Sequence, residues 1–244
     1  MKETIEQVYE NLKVAEGVYK LTVKGSFHVK PGQFYMLKKK NSSVLLPRAI
    51  SVCDVDDEKI TFLYQLVGEG TKELTALRPG DSMQLVGPLG NGFDANEIKG
   101  KVALVAGGIG LAPMIYLSKS LSHCEVDLYA GFRNESYYID KVGKNVKNIY
   151  ISTESGAEGH KGYVTDILKP EEYDLVLCCG PEIMMFKTAK MAMDKGTAVK
   201  VSMENKMACG VGACLVCTCK TKDGNKRTCK DGPVFSGEEL ELNA

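Results

Sequence analysis

Apolar and polar positions are arranged differently in the two halves of the chain. Val18–Val23 alternates apolar and polar residues, the period of a strand with one buried face. Gln33–Leu37, Ile60–Val67 and Ser82–Val86 are further short segments of strand character. Turn-forming residues break the pattern at Lys30-Pro31-Gly32, from Asp54 to Glu58 and at Arg78-Pro79-Gly80-Asp81. Short strands at this spacing predict a small antiparallel barrel or sandwich over residues 1–98, and the pattern alone leaves both open.

The character changes near Gly100. Lys101-Val102-Ala103-Leu104-Val105-Ala106 is almost continuously apolar, as expected of a strand covered on both faces. A helical stretch runs from Pro113 to Leu121 and a second from Pro181 to Lys195. Between them lie the strand candidates Val126–Ala130, Asn148–Thr153 and Asp174–Cys179. Strands alternating with helices predict a doubly wound parallel sheet over residues 99–201. Residues 202–244 are rich in Gly and Cys and lack long apolar patterns. A segment this short builds no core alone, so a metal centre is expected to staple it.

Composition narrows the function classes. The 244 residues are 44% hydrophobic and 25% charged, ordinary for a globular protein, and 31 basic residues balance 31 acidic ones. Zero net charge removes the general attraction to phosphate backbones, so no nucleic-acid partner is expected. The start carries no signal-type apolar core, and no apolar run approaches the roughly 18–20 residues that span a bilayer. The expectation is a cytoplasmic protein with no membrane contact. Five of the nine cysteines fall between Cys209 and Cys229, which in a reducing compartment reads as metal binding rather than disulfides.

Cys209, Cys214, Cys217 and Cys229 are separated by four, two and eleven residues. Four then two, with a distant fourth, is the spacing that wraps one loop around a plant-type 2Fe–2S cluster. Gly210, Gly212 and Ala213 inside the loop let N–H groups approach the sulfurs. A four-cysteine zinc site is the alternative, although zinc ribbons usually show two close pairs. Cys219 is read as a packed non-ligand, and Cys53, Cys124 and Cys178 as ordinary buried cysteines. His28, His123 and His160 are scattered, with surface roles expected, and no side chain is identified as a catalytic acid or base.

Gly107-Gly108-Ile109-Gly110-Leu111-Ala112-Pro113 follows the buried strand and opens a helix. Glycines let backbone close on a pyrophosphate, and a helix N-terminus supplies donors; Pro113 is tolerated in the first turn. A second turn, Cys178-Cys179-Gly180-Pro181-Glu182, again joins a strand to a helix. Two such turns at the carboxyl edge of one sheet predict nucleotide binding. Glu135, a candidate for a ribose hydroxyl, lies far from the first turn and reads as a solvated charge.

In this order the motifs resemble the ferredoxin–NADP reductase superfamily across essentially the whole chain. Arg48-Ala49-Ile50-Ser51 looks like its flavin motif, in which the Arg grips the pyrophosphate and the Ser reaches the flavin ring. The family usually has Pro after the Arg, and Ala49 is expected to loosen the local turn. Leu63-Tyr64-Gln65 and Gly70-Thr71 resemble the other flavin-contacting segments, and Gly87-Pro88-Leu89-Gly90 the barrel-closing turn. Each also has a plain reading: Tyr64 as a core aromatic, Gly70 as a turn. Cys179 beside Gly180 resembles the Cys-Gly turn next to the nicotinamide.

Within the superfamily, Met207–Cys214 and Cys229–Phe235 resemble the electron-transfer subunits of the NAD-linked dihydroorotate dehydrogenases. That likeness implies FAD, a 2Fe–2S cluster and NAD as cofactors. It also implies an FMN-containing dihydroorotate dehydrogenase partner in a heterotetramer of two of each, working in pyrimidine biosynthesis. Electrons would pass singly through the cluster to FAD and on to NAD. Reductase subunits of glutamate synthase or sulfide dehydrogenase type are an alternative, as is a non-enzymatic redox-sensing iron–sulfur or zinc module.

Overall fold

A computed structural model describes residues 1–242. Six antiparallel strands form the first unit: β1 (Lys2–Ala15), β2 (Val18–Lys24), β3 (Phe34–Lys39), β4 (Arg48–Val55), β5 (Lys59–Gln65) and β6 (Ser82–Leu89). They close in the order β1-β2-β5-β4-β3-β6, with helix α1 (Glu69–Thr75) between β5 and β6. Closure pairs every strand edge, so the unit is a barrel rather than a sandwich. Leu21, Val23, Leu37, Phe62 and Leu85 fill it.

Two of these strands are absent from the sequence-based expectation. β1 shifts register between Val8 and Glu10 and again between Lys13 and Ala15. Each bulge moves the inward face by one residue, so the apolar positions lose their period of two. β4 shifts similarly between Val52 and Asp54.

The second unit is a sheet of β7 (Lys101–Gly107), β8 (Glu125–Phe132), β9 (Val146–Thr153), β10 (His160–Lys161), β11 (Leu175–Cys179) and β12 (Ala198–Ser202). These strands are parallel and lie in the order β10-β9-β8-β7-β11-β12. The continuous apolar run of β7 has a direct cause. Val102, Leu104 and Ala106 face the core around α2 (Leu111–Ser120), while Ala103 and Val105 face the core around α3 (Glu182–Asp194).

The tail is more firmly integrated than its composition implies. β13 (Thr218–Thr221) and β14 (Gly224–Arg227) form a hairpin, and β15 (Val234–Ser236) adds an antiparallel strand beside β12. Cys219, Phe235 and Leu240 join the sheet's own core. A three-residue strand among glycines carries no readable periodicity, so packing shares the stapling role expected of a metal alone. Barrel and sheet also share a core, in which Cys53, Leu63 and Phe93 meet α2. Tyr116 donates to the Val29 carbonyl at 2.9 Å, and Lys119 pairs with Asp54 at 2.5 Å across the same contact.

Phe235, 2% exposed, pins the tail to β12 opposite Val201. Phe235→Ala should lower the unfolding free energy by about 3–5 kcal/mol, read from urea denaturation.

Candidate functional site

β4 carries Arg48, Ala49, Ile50 and Ser51, paired with β3 from Leu37 to Phe34. Gly70 lies in the first turn of α1, where any Cβ would collide with the Arg48 guanidinium. The missing side chain therefore lets two distant segments meet. Arg48 is half-buried, and among the described residues its guanidinium has neither an ion pair nor a side-chain hydrogen bond. Five donors in a fixed fork, half withdrawn from water and unmatched, call for an anionic ligand; a flavin dinucleotide's pyrophosphate fits that need.

The neighbouring residues divide by role. Thr71 Oγ1 accepts from the N–H groups of Val67 (3.0 Å) and Gly68 (3.2 Å) and donates to the Gly68 carbonyl at 3.0 Å. Its hydroxyl thus shapes the loop. Tyr64 points into the barrel, 1% exposed, stacked on Tyr19 at 5.6 Å and donating to Asn11 Oδ1 at 3.1 Å. Leu63, on the opposite face, is covered by the α/β unit, and Gln65 is the segment's exposed side chain. Ala49 stands in mid-strand opposite Met36, so the expected loosening of a turn does not apply.

The two glycine turns interlock. A Cβ on Gly110 would strike the Cys179 carbonyl and approach the Gly180 Cα to 2.7 Å; one on Gly180 would come within 2.8 Å of the Gly107 nitrogen. Turn-to-turn packing thus accounts for Gly107, Gly110 and Gly180. Gly108 differs: its φ is +53° and a Cβ there would meet nothing within 4 Å. It is the glycine of the turn that faces open space, where a dinucleotide backbone can approach.

A group missed by the sequence reading lies beside this turn. Cys179 Sγ donates to Glu204 Oε1 at 3.7 Å. Burial, followed by the Glu204 charge, holds the Cys179 thiol well above its usual range. Glu204 lies two residues past β12 and is exposed to solvent, with its carboxylate on the Cys179 thiol. Desolvation raises its carboxyl's pKa. Burial, then Glu204, pushes the Tyr137 phenol up to about 12, and Tyr137 packs edge-on against Phe132 at 5.0 Å. The available signal was an acidic residue ending a strand, and that strand was itself unread.

The four expected cluster cysteines fall into two pairs. Burial opposes ionisation of Cys209, but the N–H groups of Val211, Cys214 and Ala213 and the Cys214 thiol bring it down to about 6. Cys229 is pushed up to about 12 by burial and by the adjoining Cys217 thiol. Gly212 N–H points at Cys229 Sγ (3.1 Å), Val211 N–H at Cys209 Sγ (3.4 Å) and Cys229 N–H at Cys217 Sγ (3.4 Å). Among the described residues no three His, Cys, Asp or Glu side chains close on one ion position. Two thiol pairs ringed by N–H donors suit two irons better than one tetrahedral ion. Cys219 turns away, its thiol on the Lys226 carbonyl at 3.5 Å.

The loop's seat ties it to β3 and to β4, the strand that carries Arg48. Cys217 and Cys229 pack with Phe34, Met36 and Leu89, and Ala49 lies against that group. A Cβ on Gly210, whose φ is +71°, would come within 2.7 Å of Met36. On the outer side Cys214 is exposed beside Leu215 (62% exposed) and Val216 (55%). His28, His123, His160 and Glu135 lie on the surface and are not brought together.

Comparisons with known proteins agree with this layout. A family described as the iron-sulfur cluster binding domain of dihydroorotate dehydrogenase B matches residues 204–241. Two relatives are named "Dihydroorotate dehydrogenase B (NAD(+)), electron transfer subunit". The one from Clostridium acetobutylicum is 60% identical over 99% of this chain and 98% of its own; that from Clostridium perfringens is 52% identical over 97% of each. The solved structure of an NADH-dependent reduced ferredoxin-NADP oxidoreductase superposes with a TM-score of 0.86 at 27% identity, covering 98% of this chain and 90% of that one. Phthalate dioxygenase reductase shares the fold, with a TM-score of 0.67 at 16% identity over 90% and 87% of the two chains.

The interlock separates two similar substitutions. Gly110→Ala should destabilise the protein by roughly 3 kcal/mol because backbone blocks the methyl group. Gly108→Ala should cost about 1 kcal/mol, the penalty of a left-handed backbone alone. Chemical denaturation of both variants checks the difference.

Proposed function

The chain belongs to the family of dihydroorotate dehydrogenase B electron-transfer subunits, and from that premise we propose that it carries electrons between a catalytic partner and NAD. The supporting observation is the packing of Cys217 and Cys229 against Ala49 on β4, with Cys214 of the same loop exposed on its outer side. Three units follow: a barrel (1–98) for FAD, a sheet (99–201) for NAD and a tail (202–244) for the 2Fe–2S cluster.

When bound, FAD and the cluster supply the exchange between two-electron and one-electron chemistry. The chain's own residues hold and tune them. Arg48 matches the pyrophosphate, and Ser51, two residues along the same strand, is the side chain nearest in sequence to offer the flavin ring a hydroxyl. Cys209 and Cys214 would hold one iron, Cys217 and Cys229 the other. The N–H groups of Val211, Gly212 and Cys229 spread the sulfurs' charge, which favours the reduced state. Gly107, Gly108, Gly110 and Gly180 shape the dinucleotide crevice. Cys179 and Glu204 border its nicotinamide end.

The partner is a catalytic subunit that oxidises dihydroorotate on FMN, with two copies of each chain in the assembly. Leu215, Val216 and Val211 form an exposed apolar rim around Cys214, suited to such a docking face. No helix among the described residues is long and apolar enough to cross a membrane. Nine free cysteines suit the reducing cytoplasm.

Co-purification with the catalytic subunit, followed by an assay of dihydroorotate-dependent NAD reduction, tests the reading; a complex that reduces NAD only from another donor overturns it. Cys214→Ser should lose iron and acid-labile sulfide while keeping bound FAD, measured by metal analysis and visible absorption. Leu215→Asp should weaken association with the catalytic subunit at least about tenfold, leaving NADH-dependent dye reduction by the chain unchanged.

A further inference from the structure

Gly212 stands inside the cysteine loop with a thiol pair on either side. Its N–H points at Cys229 Sγ at 3.1 Å. Its carbonyl belongs to the next peptide, whose N–H, that of Ala213, is bonded to the Cys209 thiol. Two consecutive peptides thus aim donors at one cysteine of each pair. Successive N–H groups converge in this way where a left-handed residue bends the backbone into a nest, and Gly212 has a φ of +83°. A Cβ there would also come within 2.8 Å of the Lys230 stem.

The outer end of the second peptide is held by Arg227, the last residue of β14. Its Nη1 donates to the Gly212 carbonyl at 3.3 Å. Asp231 grips the rest of the fork: Nε donates to Oδ2 at 3.0 Å and Nη2 to Oδ1 at 3.1 Å, while the Arg227 N–H donates to Oδ2 at 2.8 Å. The N–H groups of Lys230 (3.0 Å) and Asp231 (2.8 Å) return to the Arg227 carbonyl. One tight turn therefore carries both the ion pair and Cys229. Asp231 does most to raise the Arg227 pKa, and Cys229 and Cys217 add to it, which puts the guanidinium within electrostatic reach of both sulfurs. Each partner is only about a third exposed (32% and 30%), so water and salt screen the pair less than a fully solvated one.

We propose that Arg227, aimed by Asp231, is a positioning residue that raises the reduction potential of the 2Fe–2S cluster, acting through the Gly212–Ala213 peptide and through its own fixed charge. The two effects have the same sign. Reduction adds one electron and one unit of negative charge, which a nearby cation stabilises. A carbonyl bonded to a cation also polarises its peptide, so the Ala213 N–H becomes a stronger donor toward sulfur. Arginine does not lose its proton in proteins, so this tuning is constant with pH. Asp231 works in two directions: it orients the fork and subtracts from its field. The pair thereby sets how readily a single electron rests at the cysteine loop rather than on the flavin. This inference rests on the proposed 2Fe–2S cluster.

The test is an anaerobic redox titration of the full chain loaded with FAD and cluster, using dithionite and mediator dyes. The paramagnetic signal of the reduced cluster and the visible absorption of the flavin are read together. Arg227→Gln should lower the cluster's midpoint so that its electron-sharing equilibrium with the flavin falls about tenfold, or ~59 mV for a one-electron couple. The flavin midpoint should stay in place. Arg227→Lys, which keeps the charge without the fork, should show a smaller fall. Asp231→Asn, which removes the opposing charge, should move the midpoint upward. An unchanged cluster midpoint in Arg227→Gln, with iron and sulfide content intact, overturns the proposal. A fall in Asp231→Asn equal to that in Arg227→Gln marks general loosening of the loop and also overturns it. Should Arg227→Gln hold no cluster, the other two variants decide, and parental midpoints in both overturn the role of Arg227. An unaltered chain that assembles no 2Fe–2S cluster overturns the cluster reading itself.

Discussion

The redox layout depends on one packing contact: the cluster loop seated on the barrel. Cys217 and Cys229 lie against Phe34, Met36 and Leu89, with Ala49 at their edge. Gly210 permits the approach because it has no side chain to meet Met36. This contact sets the distance between the thiols and β4. The rest of the tail serves to hold it. β15 extends the sheet, and Asn91 bonds the Gly232, Lys230 and Asp231 carbonyls from the barrel side. A short segment that could not fold alone is thus clamped between two larger cores.

The same economy appears at the nucleotide edge. Gly107, Gly110 and Gly180 let two strand–helix turns touch backbone to backbone, bringing Cys179 next to the first turn. On the proposed reading the nicotinamide end of the crevice lies there, bordered by Glu204, two residues past β12. Because β12 also leads into the cluster loop, the crevice and the cluster are positioned by one strand. On the proposed function, electron entry and exit are thereby held by residues that also stabilise the fold.

Much of this was legible in sequence where local chemistry suffices. The unbroken apolar run of β7 announced a doubly covered strand, and the cysteine spacing announced the loop. What escaped depends on register or on contacts between distant segments. β1 was hidden by its bulges and β15 by its length. Tyr64 could not be sorted into the core until the side of β5 it occupies was known, nor Thr71 until its hydroxyl was seen bonded to Val67 and Gly68. Glu204 lies just beyond a strand, and its contact with Cys179 comes from which strand lies beside which. Ala49 read as a departure from a motif, whereas in space it is the small residue of β4 that packs against the group holding Cys217 and Cys229.

The most direct test of that contact uses the isolated chain loaded with FAD and cluster. NADH is added by rapid mixing, and flavin bleaching is followed beside the paramagnetic signal of the reduced cluster. If the seat on β3 and β4 couples the two groups, the cluster signal should grow in step with flavin reduction, with no partner present. A bleached flavin beside a cluster that stays oxidised until the catalytic subunit is added would contradict the account.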